Sequence, residues 1–264
     1  MLTVTRQQKI LDYLSVHNAA RLTELADSVG AGLSTVRRDL RELEGQGLLT
    51  RVHGGALLAN GKGAFAQPPV FTESVEPPIF LRTTKHAAEK QRIGEAAAQL
   101  VQDNSTIFIT AGTTTEAMLS HLGSRQGLTV LTNSVIVAYS LSRYPQIATV
   151  VLGGWLRHSE LSLLGHLAMQ ALRELRAEQI FHGTYSIDAQ RGLAGSLVQE
   201  VDTDRAIIEA ARDLIVLADF SKFNVPGPVQ LAPVSRIHTL ITDGQAPAAA
   251  VAEIESQGVQ VIQV

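Results

Sequence analysis

The sequence of 264 residues predicts an α/β fold, a mostly parallel sheet with helices on both faces, preceded by a small helical domain that ends in a hairpin. Three observations carry this reading. Beyond residue 100, short apolar β-rich runs alternate with helical segments, the pattern of strands covered on both sides. Before residue 58 the apolar spacing is helical and closes on a Gly-Gly turn. Between them, Asn60-Gly61-Lys62-Gly63, Pro68-Pro69 and Pro77-Pro78 disfavour regular structure and read as a linker. The expected divisions are 1–58, 59–78 and 79–264.

In the first part, Thr3–His17 carries Ile10, Leu11 and Leu14 among polar residues and reads as a helix. Thr23–Val29 places Leu25, Ala26 and Val29 on one side before Gly30 breaks it. The third helix, Leu33–Gly45, repeats Val36, Leu40 and Leu43 at i, i+4 and i+7, a single buried stripe. Thr35, Arg37, Arg38 and Arg41 fall largely off that stripe. Gly45 and Gly47 can end the helix. Two extended runs, Leu48–Val52 and Ala56–Leu58, then flank the turn signal His53-Gly54-Gly55. Helix, short helix, turn, helix and β-wing make a winged helix-turn-helix.

Three arginines within five residues, beside Thr35 on a helix after a turn, point to double-stranded DNA, because Arg serves both phosphate and guanine contacts. Arg38 and Glu42 also stand at i, i+4 and could instead form a surface pair. Spacing does not decide which arginine reads bases. Ser34 joins them as a DNA-facing candidate, and Arg51 and His53 on the wing are expected at the backbone or minor groove. Residues 1–58 hold seven Lys and Arg against six Asp and Glu, a balance of +1, within a chain of formal charge −3. Such a domain binds DNA weakly as one protomer, so a homodimer or homotetramer is expected to read repeated half-sites.

This stretch resembles a known family. Thr35-Val36-Arg37-Arg38-Asp39-Leu40, then Leu43-Glu44, Gly47, Arg51 and His53-Gly54-Gly55-Ala56, is similar to the DeoR-type regulator signature. It departs at Gly32, where the family usually carries Ser or a similar N-cap. Gly caps without offering a side-chain oxygen, and Ser34 is the alternative cap.

Composition bounds the rest. The hydrophobic fraction is 45%, ordinary for a globular chain, and there is no cysteine, which excludes disulfides and thiolate chemistry. Apolar runs such as Leu214–Ala218 fall far short of a membrane span, and the first residues show no secretion pattern. A soluble cytoplasmic protein with no membrane partner is expected. The eight histidines form neither HxxxH nor HxH, so no metal site is expected, and nothing calls for a cofactor.

After a helix at Glu89–Val101, strands are expected at Thr106–Thr110, Leu128–Thr132, Ala148–Leu152, Gln179–Tyr185, Leu214–Ala218, Thr239–Thr242 and Val259–Val264. Helices are expected at Thr114–Leu122, Val135–Ser142, His166–Leu175, Val201–Arg212 and Ala248–Ser256.

Ligands of such sheets bind beyond the strands' carboxyl ends, where the polar residues cluster. The first strand leads into Gly112-Thr113-Thr114-Thr115, which at a helix start offers backbone N–H groups and hydroxyls to a phosphate. The same residues fit an ordinary turn with a Thr N-cap. The second strand leads into Thr132-Asn133-Ser134, which reads more readily as an N-cap. The fifth leads into Asp219-Phe220-Ser221-Lys222, where Lys222 could meet a phosphate and Asp219 a sugar hydroxyl, or the two could form a surface ion pair. Three junctions of like chemistry, taken as lying on neighbouring strands, favour a ligand. Glu200 faces either this pocket or solvent, Asp202, Asp204 and Glu209 read as a solvated helix face, and His182 reads as packed or pocket-lining.

Gly112-Thr113-Thr114, Thr132-Asn133, Gly153-Gly154, Ile187-Asp188, Glu200, Arg205-Ala206-Ile207 and Asp219 to Phe223 look like the DeoR-type effector domain, and Arg82 and Glu89-Lys90 match the segment leading into it. The resemblance implies a ribose-phosphate-isomerase-like sheet and a phosphorylated sugar or polyol, bound among these residues with Asp188 included, that releases a repressor from its operator. It departs at Thr110-Ala111, where the family often has an acidic residue, and at Tyr185-Ser186, where it commonly has a Gly before the Ile-Asp pair. These changes bear on which sugar binds more than on its phosphate. The alternative is a sugar-phosphate isomerase with an accessory DNA-binding domain. Asp188 and Glu200 could supply carboxylates, yet Ala189 to Gln199 contains no Lys, where the related isomerases place a catalytic one. No catalytic residue is therefore expected.

Overall fold

The computed structural model describes residues 3–17, 19–45, 48–52, 55–58 and 76–264. The chain divides into two units, Met1–Phe71 and Thr72–Val264. Gly47, His53, Gly54 and residues 59–75 of the expected linker lie outside the described residues. No helix among the described residues is long and apolar enough to cross a membrane.

The first unit runs α1 (Thr3–His17), β1 (Ala19–Arg21), α2 (Leu22–Val29), α3 (Leu33–Gly45), β2 (Leu49–Val52) and β3 (Gly55–Leu58). Ile10, Leu14, Leu25, Val29, Val36, Leu40, Leu43, Leu49 and Ala56 form its core. Glu24 accepts from the Arg21 N–H at 2.7 Å, and Gly30 ends α2 at φ 61°, a left-handed cap that suits Gly. β2 and β3 pair antiparallel as the expected wing, with Arg51 opposite Ala56. The sequence reading lacked β1, which pairs with β3 and completes a sheet of order β1-β3-β2.

The second unit opens with α4 (Ile79–Arg82), α5 (Ala87–Gln99), β4 (Thr106–Ile109), α6 (Thr113–Ala117), β5 (Thr129–Thr132), α7 (Val135–Leu141) and β6 (Ala148–Val151). It continues through β7 (Trp155–Arg157), β8 (Ser162–Leu164), α8 (His166–Glu174), β9 (Ala177–Gly183), β10 (Ser186–Asp188), β11 (Gly192–Gly195), α9 (Val201–Glu209) and β12 (Ala211–Leu217). It closes with β13 (Val229–Ala232), β14 (Thr239–Thr242), α10 (Ala248–Ser256) and β15 (Gln260–Gln263). Seven strands form a parallel sheet of order β15-β14-β12-β9-β4-β5-β6.

Alternate residues of each central strand enter two different cores, because successive side chains point to opposite faces. Phe108, Leu214, Val216 and Leu240 pack with Leu172, Ile207 and Ile254 of α8, α9 and α10. Ile107, Ile109, Ile215, Leu217 and Ile241 pack with Ile93 and Val137 of α5 and α7 and with Met118 beyond α6. Both faces are covered, which is why these strands read as unbroken apolar runs.

Chain order fixes where a crevice opens. From β4 the chain moves to β5 and β6 on one side, then returns to β9 on the other. The connections above β4 and β9 therefore part, and a ligand crevice belongs at their carboxyl ends. The fifth expected strand, β12, neighbours β9 rather than β4, so the three polar junctions do not lie on three adjacent strands. Two features near the crevice were absent from the sequence reading: the β7–β8 hairpin and the antiparallel sheet β10-β11-β13.

Candidate functional site

In the first unit α3 buries Val36, Asp39, Leu40 and Leu43 and turns Ser34, Arg37, Arg38 and Arg41 to solvent, with Thr35 half-buried at the edge. The helix starts from Gly32, whose carbonyl accepts from the Thr35 and Val36 N–H groups at 3.0 and 3.1 Å. The side chains of Arg37, Arg38 and Arg41 make no hydrogen bond or ion pair among the described residues. The Arg38–Glu42 pair does not form; Glu42 accepts from Gln7 at 2.7 Å instead. Arg6 is taken by buried Asp39 through two bonds of 2.5 and 2.9 Å, a fork that ties α1 to α3. The Arg51 backbone N–H donates to Glu44 at 2.9 Å and its guanidinium pairs with the same carboxylate at 2.6 Å, and in that order the two hold the carboxyl below its ordinary pKa. Both side chains stay about two-fifths exposed, so water screens the pair and a phosphate can compete for Arg51.

In the second unit a continuous cleft lies over the carboxyl ends of β4 and β9. Its outer part is lined by Gly112, Thr113, Thr114, Arg82, Lys222, Glu76 and Tyr185. Its inner part is lined by Asn133, Arg157, His182, Glu200, Asp204 and Ser196. Glu76 and Tyr185 line both.

The outer part is built around cations. Arg82 Nη1 lies 2.7 Å from Glu76, its Nη2 pairs with Glu160, and Lys222 Nζ lies 2.9 Å from the same Glu76 carboxylate. The Lys222 ammonium also stands 5.9 Å above the Tyr185 ring, a cation–π distance. Lys90 donates to the Arg82 carbonyl at 2.8 Å, and burial lowers its pKa. In the inner part Arg157 pairs with Glu200. Burial raises the Glu200 carboxyl despite that partner, and burial with the Glu200 charge raises Asp204 to about 8. Burial lowers His182 to about 4, so its imidazole is neutral at physiological pH.

Three buried polar atoms along the cleft lack a partner among the described residues: His182 Nδ1, Glu160 Oε1 and Asp219 Oδ2. Buried polar atoms are nearly always paired, so such a cluster marks a place where a ligand or ordered water supplies the partners.

The expected residues divide accordingly. Gly112, Thr113, Thr114, Asn133, Glu200, Asp219 and Lys222 line the cleft. Asn133 also shapes it, since its Oδ1 accepts from the Ala111 N–H at 3.3 Å. Thr115 is fully buried and donates to the Thr110 and Gly112 carbonyls at 2.8 and 2.9 Å, so it braces the loop from behind. Ser134 caps α7 by accepting from Val137 at 3.2 Å. Asp188 accepts from the Gln190 and Arg191 N–H groups at 2.9 and 2.8 Å through Oδ1 alone, which braces that turn, and it is not among the residues lining the cleft. Asp219 accepts from the Ser221 N–H at 3.0 Å and from the Ser221 hydroxyl, leaving only its second oxygen free.

The sequence reading missed Glu76, Arg157, Glu160 and Asp204. Asp204 read as part of one solvated acidic face with Asp202 and Glu209, of which only those two are exposed. Only its phase, four residues beyond Glu200, placed it on the inner face. Glu160 carried no local signal because its partner Arg82 is 78 residues away, and Glu76, though six residues from Arg82, meets Lys222 only across 146 residues.

Comparisons with known proteins cover both units. The profile described as DeoR-like helix-turn-helix domain matches residues 6–62, and that described as DeoR C terminal sensor domain matches 85–244. The HTH-type transcriptional repressor CsqR of Escherichia coli strain K12 is 30% identical over 257 residues, 97% of this chain and 94% of its own length. The glycerol-3-phosphate regulon repressor of the same strain is 30% identical over 242 residues, 92% of this chain and 91% of its own. Among solved structures, ribose 5-phosphate isomerase A from Methanocaldococcus jannaschii aligns with a TM-score of 0.40 at 18% identity, over 53% of this chain and 55% of that one.

Proposed function

The chain belongs to the DeoR family of DNA-binding transcriptional regulators, and from that premise we propose that it represses carbohydrate-metabolism genes until a phosphorylated sugar or polyol releases it. Helix α3 enters the major groove, with Ser34, Thr35, Arg37, Arg38 and Arg41 toward the DNA and Arg51 and His53 on the flanking backbone or minor groove. Residues 1–58 form the reader, 59–78 the linker, whose last stretch from Glu76 already lines the cleft, and 79–264 the sensor. The working form is a homodimer or homotetramer in the cytoplasm, acting without enzymatic turnover.

In the sensor, the effector's phosphate takes the outer part of the cleft, against Gly112, Thr113, Thr114, Arg82 and Lys222. Its hydroxyls reach inward to Asn133, His182, Glu200 and Asp204. Asp219 offers one oxygen, and Thr115 and Ser134 support the loops. Asp188 serves the fold of its own turn. A neutral Asp204 carboxyl donates a hydrogen bond where a carboxylate only accepts, which suits a hydroxyl or carbonyl oxygen. The observation that carries the reading is the union, on one chain, of three exposed arginines without a side-chain partner among the described residues on α3 with a cleft in which Arg82 and Lys222 converge and buried polar atoms are left unpaired.

The test is a DNA-binding titration on the region upstream of the protein's own gene, with and without sugar phosphates, glycerol 3-phosphate and fructose phosphates included. Specific binding weakened by one phosphate and not by its free sugar supports the reading. Specific binding indifferent to every phosphate removes the sensor half.

A second reading, a sugar-phosphate isomerase with a DNA-reading domain, draws on the Glu200 and Asp204 carboxyls, whose raised pKa values suit proton transfer. Turnover of ribose 5-phosphate by the purified chain would establish it.

A further inference from the structure

We infer that Glu76 is an internal occupant of the anion position in the cleft, and that a phosphorylated effector binds by displacing it. The inference rests on the cleft being the effector site and concerns how that site is regulated. One Glu76 oxygen bridges two cations brought from distant parts of the chain, Arg82 Nη1 at 2.7 Å and Lys222 Nζ at 2.9 Å. A guanidinium and an ammonium converging on one oxyanion is the arrangement that recognises a phosphate as readily as a carboxylate. The Glu76 side chain is only 10% exposed and lines the outer and inner parts of the cleft alike, so a ligand anion competes with its carboxylate for the same two cations. Among the described residues Lys222 has no other acidic partner.

The exchange is chemically ordered. A carboxylate brings one negative charge, whereas a phosphomonoester near neutral pH brings between one and two and has three oxygens to share between Arg82 and Lys222. The phosphate therefore wins the cations, and the side chain at residue 76 must leave. Residue 76 follows by a few positions the boundary between the units at Phe71 and Thr72. Occupation of the cleft is thereby written directly into the stretch of chain that continues toward the DNA reader.

The experiment measures inorganic phosphate and glycerol 3-phosphate binding to the full chain by calorimetry, for wild type, Glu76→Gln, Glu76→Asp and Lys222→Gln. If Glu76 fills the position in about nine molecules of ten, removing its charge tightens phosphate binding about tenfold, since apparent affinity scales with the competent fraction. Glu76→Asp, one methylene shorter with its charge kept, falls between the two. Lys222→Gln weakens binding. Should Glu76→Gln unfold for want of its carboxylate, refolding on addition of phosphate supports the same conclusion, and Glu76→Asp still reports the affinity. Unchanged affinity in both Glu76 variants, with Lys222→Gln still weakening it, overturns the displacement while leaving the effector site standing. Indifference of binding to Lys222→Gln overturns both.

Discussion

The side chains of Arg37, Arg38 and Arg41 have no ion-pair partner among the described residues, whereas Arg6 is committed to Asp39 and Arg51 to Glu44, so α3 carries three available positive charges on its exposed face. Alanine at a base-reading arginine is expected to cost about 1–3 kcal/mol of operator affinity and to relax specificity at one position. Alanine at a phosphate-gripping one weakens all sequences alike and lowers the salt slope by about 1, and titrations at several salt concentrations separate the cases. Arg6→Ala is expected to destabilise the unit more than Asp39→Ala. The first strands a buried carboxylate, whereas the second leaves a guanidinium with 13% of its side chain already in solvent; comparative melts check the order. Asp204 gives a pH signature. Its carboxyl titrates at about 8 in the fold against 3.8 when free, so the folded state binds the extra proton across that window and stability falls as pH rises through it. Asp204→Asn abolishes that fall, and melts at pH 5 and pH 8.5 should show the variant gaining on wild type at the higher value. His182, lowered to about 4, acts in the opposite sense and loses stability as pH falls from 6.5. The outward arginines were legible because helical period alone separates a buried stripe from its opposite face. Asp39 sits on the buried face at i+3 from Val36, and only its partner 33 residues away makes that position tenable.

Among the elements, those bounded by strong apolar runs matched expectation closely: α1, α3, β14 and α10 fall where the pattern put them. The missing ones are short. β1, β7, β8 and β10 have three residues each, too few to show a period of two, and they form because neighbours supply the pairing. This matters for the site, since Arg157 is carried by β7 and Glu160 sits in the turn between β7 and β8. The Gly112–Thr114 loop depends on a different device, the close approach of α5 to α6. A Cβ on Gly94 would lie 2.6 Å from the Ala117 carbonyl carbon and 2.7 Å from the Met118 nitrogen, both backbone atoms that cannot swing aside. Helix propensity alone favours Ala over Gly by up to about 1 kcal/mol, whereas overpacking a filled contact costs about 1–3 kcal/mol. The clash wins. Gly94→Ala is expected to lower stability in denaturant melts and, by moving α6, to weaken sugar-phosphate binding more than an equally destabilising change on α10.

At the scale of the whole molecule the two units communicate only as a coupling free energy, and that coupling runs both ways. If an effector weakens operator binding by some factor, saturating operator must weaken effector binding by the same total factor, shared among the protomers on the DNA. A near-neutral reader at +1 within a chain of −3 gives a single protomer little electrostatic hold, so the operator complex is expected to contain several. For a switch of about 100-fold, each sensor of a dimer would then lose about tenfold in effector affinity on the operator, and each sensor of a tetramer about threefold. Calorimetric titration of the effector into free protein and into protein saturated with an operator duplex measures that per-site factor directly. The logarithm of the total release factor divided by the logarithm of the per-site factor counts the coupled protomers. Equal effector affinity in the two titrations would mean that the effector does not distinguish the DNA-bound state, and a ligand without that preference shifts no population however tightly it binds.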